Sequence, residues 1–115
     1  MKKLNKIMLA LSILPTLLTS VFLFFMNDTV PMHYNASGAV DRYGSKYENF
    51  ILPAIILFMY AFYMVYTKIY TKYSTNSVEK INNNVKITAI LVTSIIAAFN
   101  IFQLMFLILA ILKPD

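Results

Sequence analysis

Residues 7–26 read IMLALSILPTLLTSVFLFFM, an unbroken run with no charged side chain. An α-helix rises ~1.5 Å per residue, so about 20 residues cross a hydrocarbon core of roughly 30 Å. Two further uncharged runs follow, NFILPAIILFMYAFYMVYT at 49–67 and ITAILVTSIIAAFNIFQLMFLILAIL at 87–112. The third is longer than a perpendicular crossing needs and can tilt or emerge at one end. None of the three has the polar outer stripe that a surface helix of a soluble bundle requires. The chain therefore reads as all-α, an integral membrane bundle of three transmembrane helices in a single domain, 1–115. The spans are about 7–26, 50–67 and 87–112, with an ordered loop at 27–49 and a connector at 68–86.

Composition agrees. Of 115 residues, 59% are hydrophobic and 13% charged, about half the usual share of a soluble domain. There is no cysteine, which excludes disulfides and thiolate metal sites. The net charge of +5 is carried by lysines beside the spans, where they set orientation rather than bind nucleic acid. Lys2, Lys3, Lys6, Lys68, Lys72, Lys80 and Lys86 stand against Arg42, Lys46 and Lys113 on the other side. That asymmetry predicts a multi-pass protein of the cell membrane with the amino terminus and connector cytoplasmic. The 27–49 loop and the tail Lys113-Pro114-Asp115 are then extracellular. Phe24-Phe25-Met26-Asn27-Asp28 offers no small-x-small cleavage site, so the first span reads as uncleaved.

Polar residues punctuate the spans. Ser12, Thr16 and either Thr19 or Ser20 share one face of the first helix, and Thr93, Ala97 and Asn100 one face of the third, with Gln103 nearby. Small and hydroxyl residues let membrane helices approach, and amides hydrogen-bond across the interface. Helix packing is the simpler role; the alternative puts Asn100 and Gln103 along a polar cavity. Pro15 removes a backbone donor within the first span, and Ser12 is the expected compensation. Pro53 falls in the first turn of the second helix, where a missing N–H costs little. Tyr66, Tyr70 and Tyr73 suit an interfacial aromatic belt. The connector from Tyr73 to Lys86 reads as flexible, with one helical turn at Val78 to Ile81.

The densest polar information lies in VPMHYNASGAVDRYGSK, residues 30–46. Pro31 favours an extended backbone at Val30. Asn35 to Gly38 has the chemistry of an Asx turn followed by a residue free to take positive φ, and a second turn is expected at Tyr43-Gly44-Ser45. Asp41 is within reach of His33 across the turn, with Arg42 or Lys46 as its alternative partner. No nucleophile accompanies the histidine, and one histidine with scattered carboxylates makes a poor zinc set. No catalytic role, metal, cofactor or nucleic-acid partner is expected; the chain is not read as an enzyme.

This run resembles the domain of unknown function 1648. Pro31, His33, Tyr34, Asn35, Gly38, Asp41, Tyr43, Ser45, Lys46 and the Leu52-Pro53 pair fall at that family's spacing, in the loop between the first two spans. The likeness covers roughly residues 1–65. It implies kinship with the amino-terminal part of SdpI-like proteins, membrane proteins of bacterial cells that give immunity to a peptide toxin. The chain resembles a minimal version, without the carboxy-terminal region of the full-length proteins. By that likeness Pro31, His33, Asn35, Gly38, Asp41 and Lys46 are the motif residues, and the partners are the bilayer and either a peptide toxin or a membrane or cytoplasmic protein. A signalling accessory that holds a cytoplasmic regulator, or a small transporter component, is the alternative.

Overall fold

Each apolar run becomes a helix in the computed structural model, which describes residues 2–112; the tail Lys113-Pro114-Asp115 lies outside the described residues. Helix α1 spans Lys2–Phe22 and ends in a 3-10 turn, Leu23–Phe25. Strands β1 (Thr29–Tyr34) and β2 (Val40–Ser45) pair antiparallel. A second 3-10 turn, Lys46–Phe50, leads into α2 (Ile51–Tyr73), and α3 runs Val78–Leu112. All three helices are long and apolar enough to cross a membrane. The helical membrane bundle expected from the sequence is thus present, with a small two-stranded sheet where an ordered loop was expected.

The tyrosine hydroxyl of Tyr63 on α2 donates to Asn5 Oδ1 at the start of α1, 3.2 Å away. Asn100 meets Leu11 and Gln103 meets Thr19, so α1 and α3 pack directly in the same direction, and α2 runs antiparallel to both. One end of the bundle carries the β-hairpin; the other carries the first residues of α1 and the α2–α3 connector.

Two packing centres follow. Midway along the bundle, Met8, Ile56, Tyr63, Ala89 and Ile96 meet from all three helices, with Leu52, Met59, Val92 and Phe99 around them. At the hairpin end Met26 and Val30 cover Leu107 and Ala110 of α3, with Phe22 and Met32 alongside. The second centre answers the surplus length of the third run. Twenty-six uncharged residues make about 39 Å of helix, some 9 Å more than the core spans. The hairpin folds onto one face of those last turns, covering Leu107 and Ala110, while Met105, Ile108 and Leu112 stay exposed.

The connector differs from its sequence reading. Segment 68–86 is almost wholly helical; only Ser74–Ser77 separate α2 from α3. Lysines and asparagines end the apolar stretch without ending the helix, since a helix leaving the bilayer still satisfies its own backbone. The Ser77 hydroxyl accepts from the Lys80 N–H at 3.2 Å and caps α3. The Tyr70 hydroxyl accepts from Asn84 Nδ2 at 2.8 Å and Asn76 Nδ2 at 3.2 Å. Ile81 is buried beneath. Tertiary contacts thus hold an Asn82-Asn83-Asn84 run of weak helix propensity in helical form.

Candidate functional site

The polar residues inside the bundle serve two prolines. A proline cannot donate to the carbonyl four residues earlier. For Pro15 that acceptor is Leu11 O, and Asn100 Nδ2 reaches it from α3 at 2.9 Å while also donating to Ile96 O at 2.9 Å. For Pro53 the acceptor is Asn49 O, and Gln103 Nε2 reaches it at 2.8 Å while also donating to Thr19 Oγ1 at 3.0 Å. Both prolines are fully buried, and Gln103 and Thr19 are buried with them. Asn100 and Gln103 lie three residues apart on one face of α3. From that face one helix supplies the donors missing from the other two. In hydrocarbon an unsatisfied carbonyl costs several kcal/mol, so these amides fix how α3 sits against α1 and α2.

This corrects one expectation. Ser12 does not compensate Pro15; its hydroxyl donates to Met8 O at 2.7 Å, inside its own helix. Of the alternatives Thr19 and Ser20, Thr19 faces the bundle, while Ser20 is exposed and donates to Thr16 O. Thr16 is half-buried. Thr93 is half-buried, and its Oγ1 is enclosed without a hydrogen-bond partner.

The hairpin is built on Asn35. Its Oδ1 accepts from the N–H groups of Ser37 and Ala39 at 3.0 Å each, and from the Ser37 hydroxyl at 2.7 Å. Asn35 N–H donates to Ala39 O at 2.8 Å and Gly38 N–H to Asn35 O at 3.0 Å. This is the Asx turn the sequence announced, and Gly38 takes φ 85°, a region in which a side chain is strained. Lys46 N–H closes the base on Asp28 O at 2.9 Å.

The second expected turn, Tyr43-Gly44-Ser45, is instead the last part of β2, with Val30 opposite Gly44 and Thr29 opposite Ser45. Glycine at 44 leaves room for two side chains: a Cβ there would press on the Glu48 carboxylate and Met32 Cγ, which would have to shift. Clearing them would displace the carboxylate that accepts from Arg42 at 3.3 Å.

Irregular pairing on either side of His33 interrupts the ladder. His33 Nδ1 lies 2.6 Å from Asp41 Oδ1. An ionised carboxylate only accepts, so Nδ1 is the donor and Nε2 is left for another partner. Both side chains are largely exposed. The other charges pair elsewhere: Arg42 with Glu48, and Lys46 Nζ with Asp28 Oδ1 at 3.5 Å. Of the partners considered for Asp41, the structure selects His33.

Between the hairpin and α3 runs a groove of about 430 Å³, bounded by His33, Tyr34 and Gly38 above and by Phe102, Met105 and Phe106 below. Tyr34 packs edge-on against Phe106, ring centroids 6.1 Å apart. Its hydroxyl is enclosed without a partner among the described residues, and burial, then the neighbouring Tyr43, push the phenol pKa up. The motif is thus divided by role. Asn35 and Gly38 make the turn, Pro31 is buried in the strand, and Lys46 sits at the base. His33 and Asp41 are presented outward.

Asn49 was not singled out from sequence. It is buried, donates to Lys46 O at 2.9 Å and lies 3.6 Å from Met26 Sδ, joining the foot of the hairpin to α2. The available signal was its place four residues before Pro53, across from an amide-bearing helix. Among the described residues no group of three or more His, Asp or Glu lies where a metal ion could be held.

Fold and site together define a three-helix membrane protein with a hairpin docked on one end of the bundle. Residues 10–57 match the family model described as Domain of unknown function (DUF1648). The matched stretch takes in most of α1, the whole hairpin and the first two turns of α2. The chain is also similar to an uncharacterized protein of the archaeon Archaeoglobus fulgidus, 42% identical over 67 residues. That alignment covers 58% of this chain and 35% of the relative, so the chain spans about a third of that protein's length. No solved structure matches the chain.

Proposed function

We propose that this chain is an SdpI-like, immunity-type interaction protein of the bacterial cell membrane, which protects its host from a membrane-active peptide toxin. The observation that carries the reading is the division of labour among polar groups. Within the bundle, the Asn100 and Gln103 donors are spent on backbone carbonyls freed by prolines. At the hairpin, His33 and Asp41 are held in fixed geometry and exposed beside an apolar groove. A rigid polar edge above an apolar trough complements an amphipathic peptide arriving at the membrane surface. The lysine distribution supports a hairpin facing outward, where such a peptide first arrives.

The same amides weigh against a transport path, since a path needs polar groups free to meet a solute. A signalling role finds support at the other end, where the rigid α2–α3 tip bears Lys68, Lys72, Lys80 and Lys86, all exposed.

The test is survival. Expression in a sensitive host should raise survival against the cognate antimicrobial peptide, and His33→Ala or Asp41→Ala at equal membrane levels should remove most of the gain. Reporter fusions at Asn35 and Asn76 should lie on opposite sides of the membrane, with Asn76 inside. If both hairpin variants protect fully while Lys68→Gln with Lys72→Gln abolishes activity, the cytoplasmic signalling reading replaces this one.

A further inference from the structure

At the connector end, Lys3, Lys6, Lys68, Lys72, Lys80 and Lys86 are exposed, with Glu79 the one carboxylate among them. The hairpin end is close to balanced: Asp28, Asp41 and Glu48 against Arg42 and Lys46. The basic end also holds an open groove of about 430 Å³ along one face of α2 that grades from apolar to polar. In order along the helix, Tyr66 and Ile69 line the floor nearest the apolar run, Tyr70 and Tyr73 follow, and Ser74 and Thr75 line the rim at the helix end. Tyr66 and Tyr70 stack with ring centroids 6.1 Å apart. The two amides on the Tyr70 hydroxyl fix the wall from behind. Lys72 Nζ lies 5.3 Å from the centroid of the Tyr73 ring, which puts the ammonium beside the outer part of the groove.

Depth identifies the occupant. The uncharged run of α2 ends at Thr67, and Lys72 is five residues on, about 7.5 Å farther along the helix. Each headgroup layer adds roughly 5–8 Å outside the hydrocarbon core. The rim therefore falls at phosphate level, while the floor lies at the boundary with the acyl chains. A ligand apolar below and anionic above fits this gradient, and in a bilayer that ligand is a lipid.

We infer that the Tyr66–Thr75 groove is a binding site for one anionic phospholipid, its headgroup held by the Thr75 hydroxyl at the rim and by Lys72 beside it. The acyl chain lies along Tyr66 and Ile69. The surrounding lysines raise the local concentration of anionic lipid and make its retention salt-sensitive.

The purified full chain in detergent is titrated with phosphatidylglycerol or with phosphatidylcholine of identical acyl chains, and retained lipid is read by native mass spectrometry. One phosphatidylglycerol should be retained in preference to phosphatidylcholine. Lys72→Gln should weaken retention roughly fivefold, as expected for one lysine at an anionic surface, and Lys3→Gln distinctly less. Equal retention of the two lipids overturns the inference. So do equal losses from Lys3→Gln and Lys72→Gln, which indicate a diffuse field without a site. Full competition by millimolar inorganic phosphate assigns the rim to a free anion instead. Lys72-dependent capture of a polyglutamate peptide in phosphatidylcholine nanodiscs, with no lipid preference, assigns it to an acidic protein segment and equally overturns the lipid site.

Discussion

The two ends of the bundle solve the same problem, joining one membrane helix to the next, in opposite ways. At the hairpin end the chain leaves the helix, pairs two strands and returns through a 3-10 turn. Its fixation comes from the bundle below: Gln103 holds Asn49 O, and Leu107 and Ala110 lie under Met26 and Val30. At the connector end the helices continue past the apolar runs and turn in four residues. Fixation there comes from the tip itself, through Tyr70, Asn76, Asn84 and the Ser77 cap. The hairpin is anchored through groups in a dry interior, where a missing partner is expensive. The connector is held by exposed or half-buried groups that water can replace. Equal deletions at the two ends should therefore have unequal effects.

The largest effect is expected at Gln103. Gln103→Leu preserves volume and removes the donor to both Asn49 O and the Thr19 hydroxyl. It should cost about 2 kcal/mol, in line with leaving buried acceptors unmet. Thermal unfolding in detergent measures the loss. The proline argument makes the prediction sharper. In a Pro53→Ala background the restored N–H can reach Asn49 O, so the same Gln103→Leu change should cost distinctly less. Additive costs in this double-mutant cycle would show that Gln103 does not stand in for the missing donor.

The connector should be more forgiving. Asn84→Ala deletes the 2.8 Å bond to the Tyr70 hydroxyl, yet Asn76 still donates to that oxygen and solvent lies close by. The expected cost is about 1 kcal/mol, the net worth of an ordinary hydrogen bond. Faster amide exchange should be confined to residues 70–84 and absent from 29–46. Loosening of the hairpin by Asn84→Ala would contradict the independence of the two ends.

How far the sequence revealed this contrast depends on the kind of signal each residue carries. Charge-free runs are a bulk property, and they placed all three helices. They could not show where α2 ends and α3 begins, because Lys72, Asn82 and Asn84 lower hydropathy without breaking a helix. The Asn35–Gly38 turn was legible because turn chemistry is local. Gly44 carries the same local signal as Gly38, but its reason is the Glu48 and Met32 side chains, which only the folded hairpin brings there. The use of Asn100 and Gln103 was the least legible. Asn100 is 89 residues from Leu11, and only the packed bundle shows that α3 faces both prolines. The polar face was visible in sequence; its partners were not.

The smallest effect on stability belongs to the most conspicuous pair. His33 and Asp41 are 2.6 Å apart, but both are exposed, and an exposed side-chain pair of this kind contributes about 1 kcal/mol or less. The hairpin does not depend on it, since the Asn35 network, the Lys46–Asp28 backbone bond and the Val30 contact with α3 remain. Asp41→Ala should therefore leave insertion and unfolding temperature nearly unchanged. Its structural effect should appear as moderately faster amide exchange between Pro31 and Lys46, strongest beside the irregular pairing at His33. If the parent protein already exchanges there at random-coil rates, the pair holds nothing in place. If Asp41→Ala instead lowers stability as much as Gln103→Leu, the hairpin is anchored from its exposed face, and the contrast between the two ends is wrong. A small stability cost combined with lost protection would mean that the pair is retained for what it meets rather than for what it holds together.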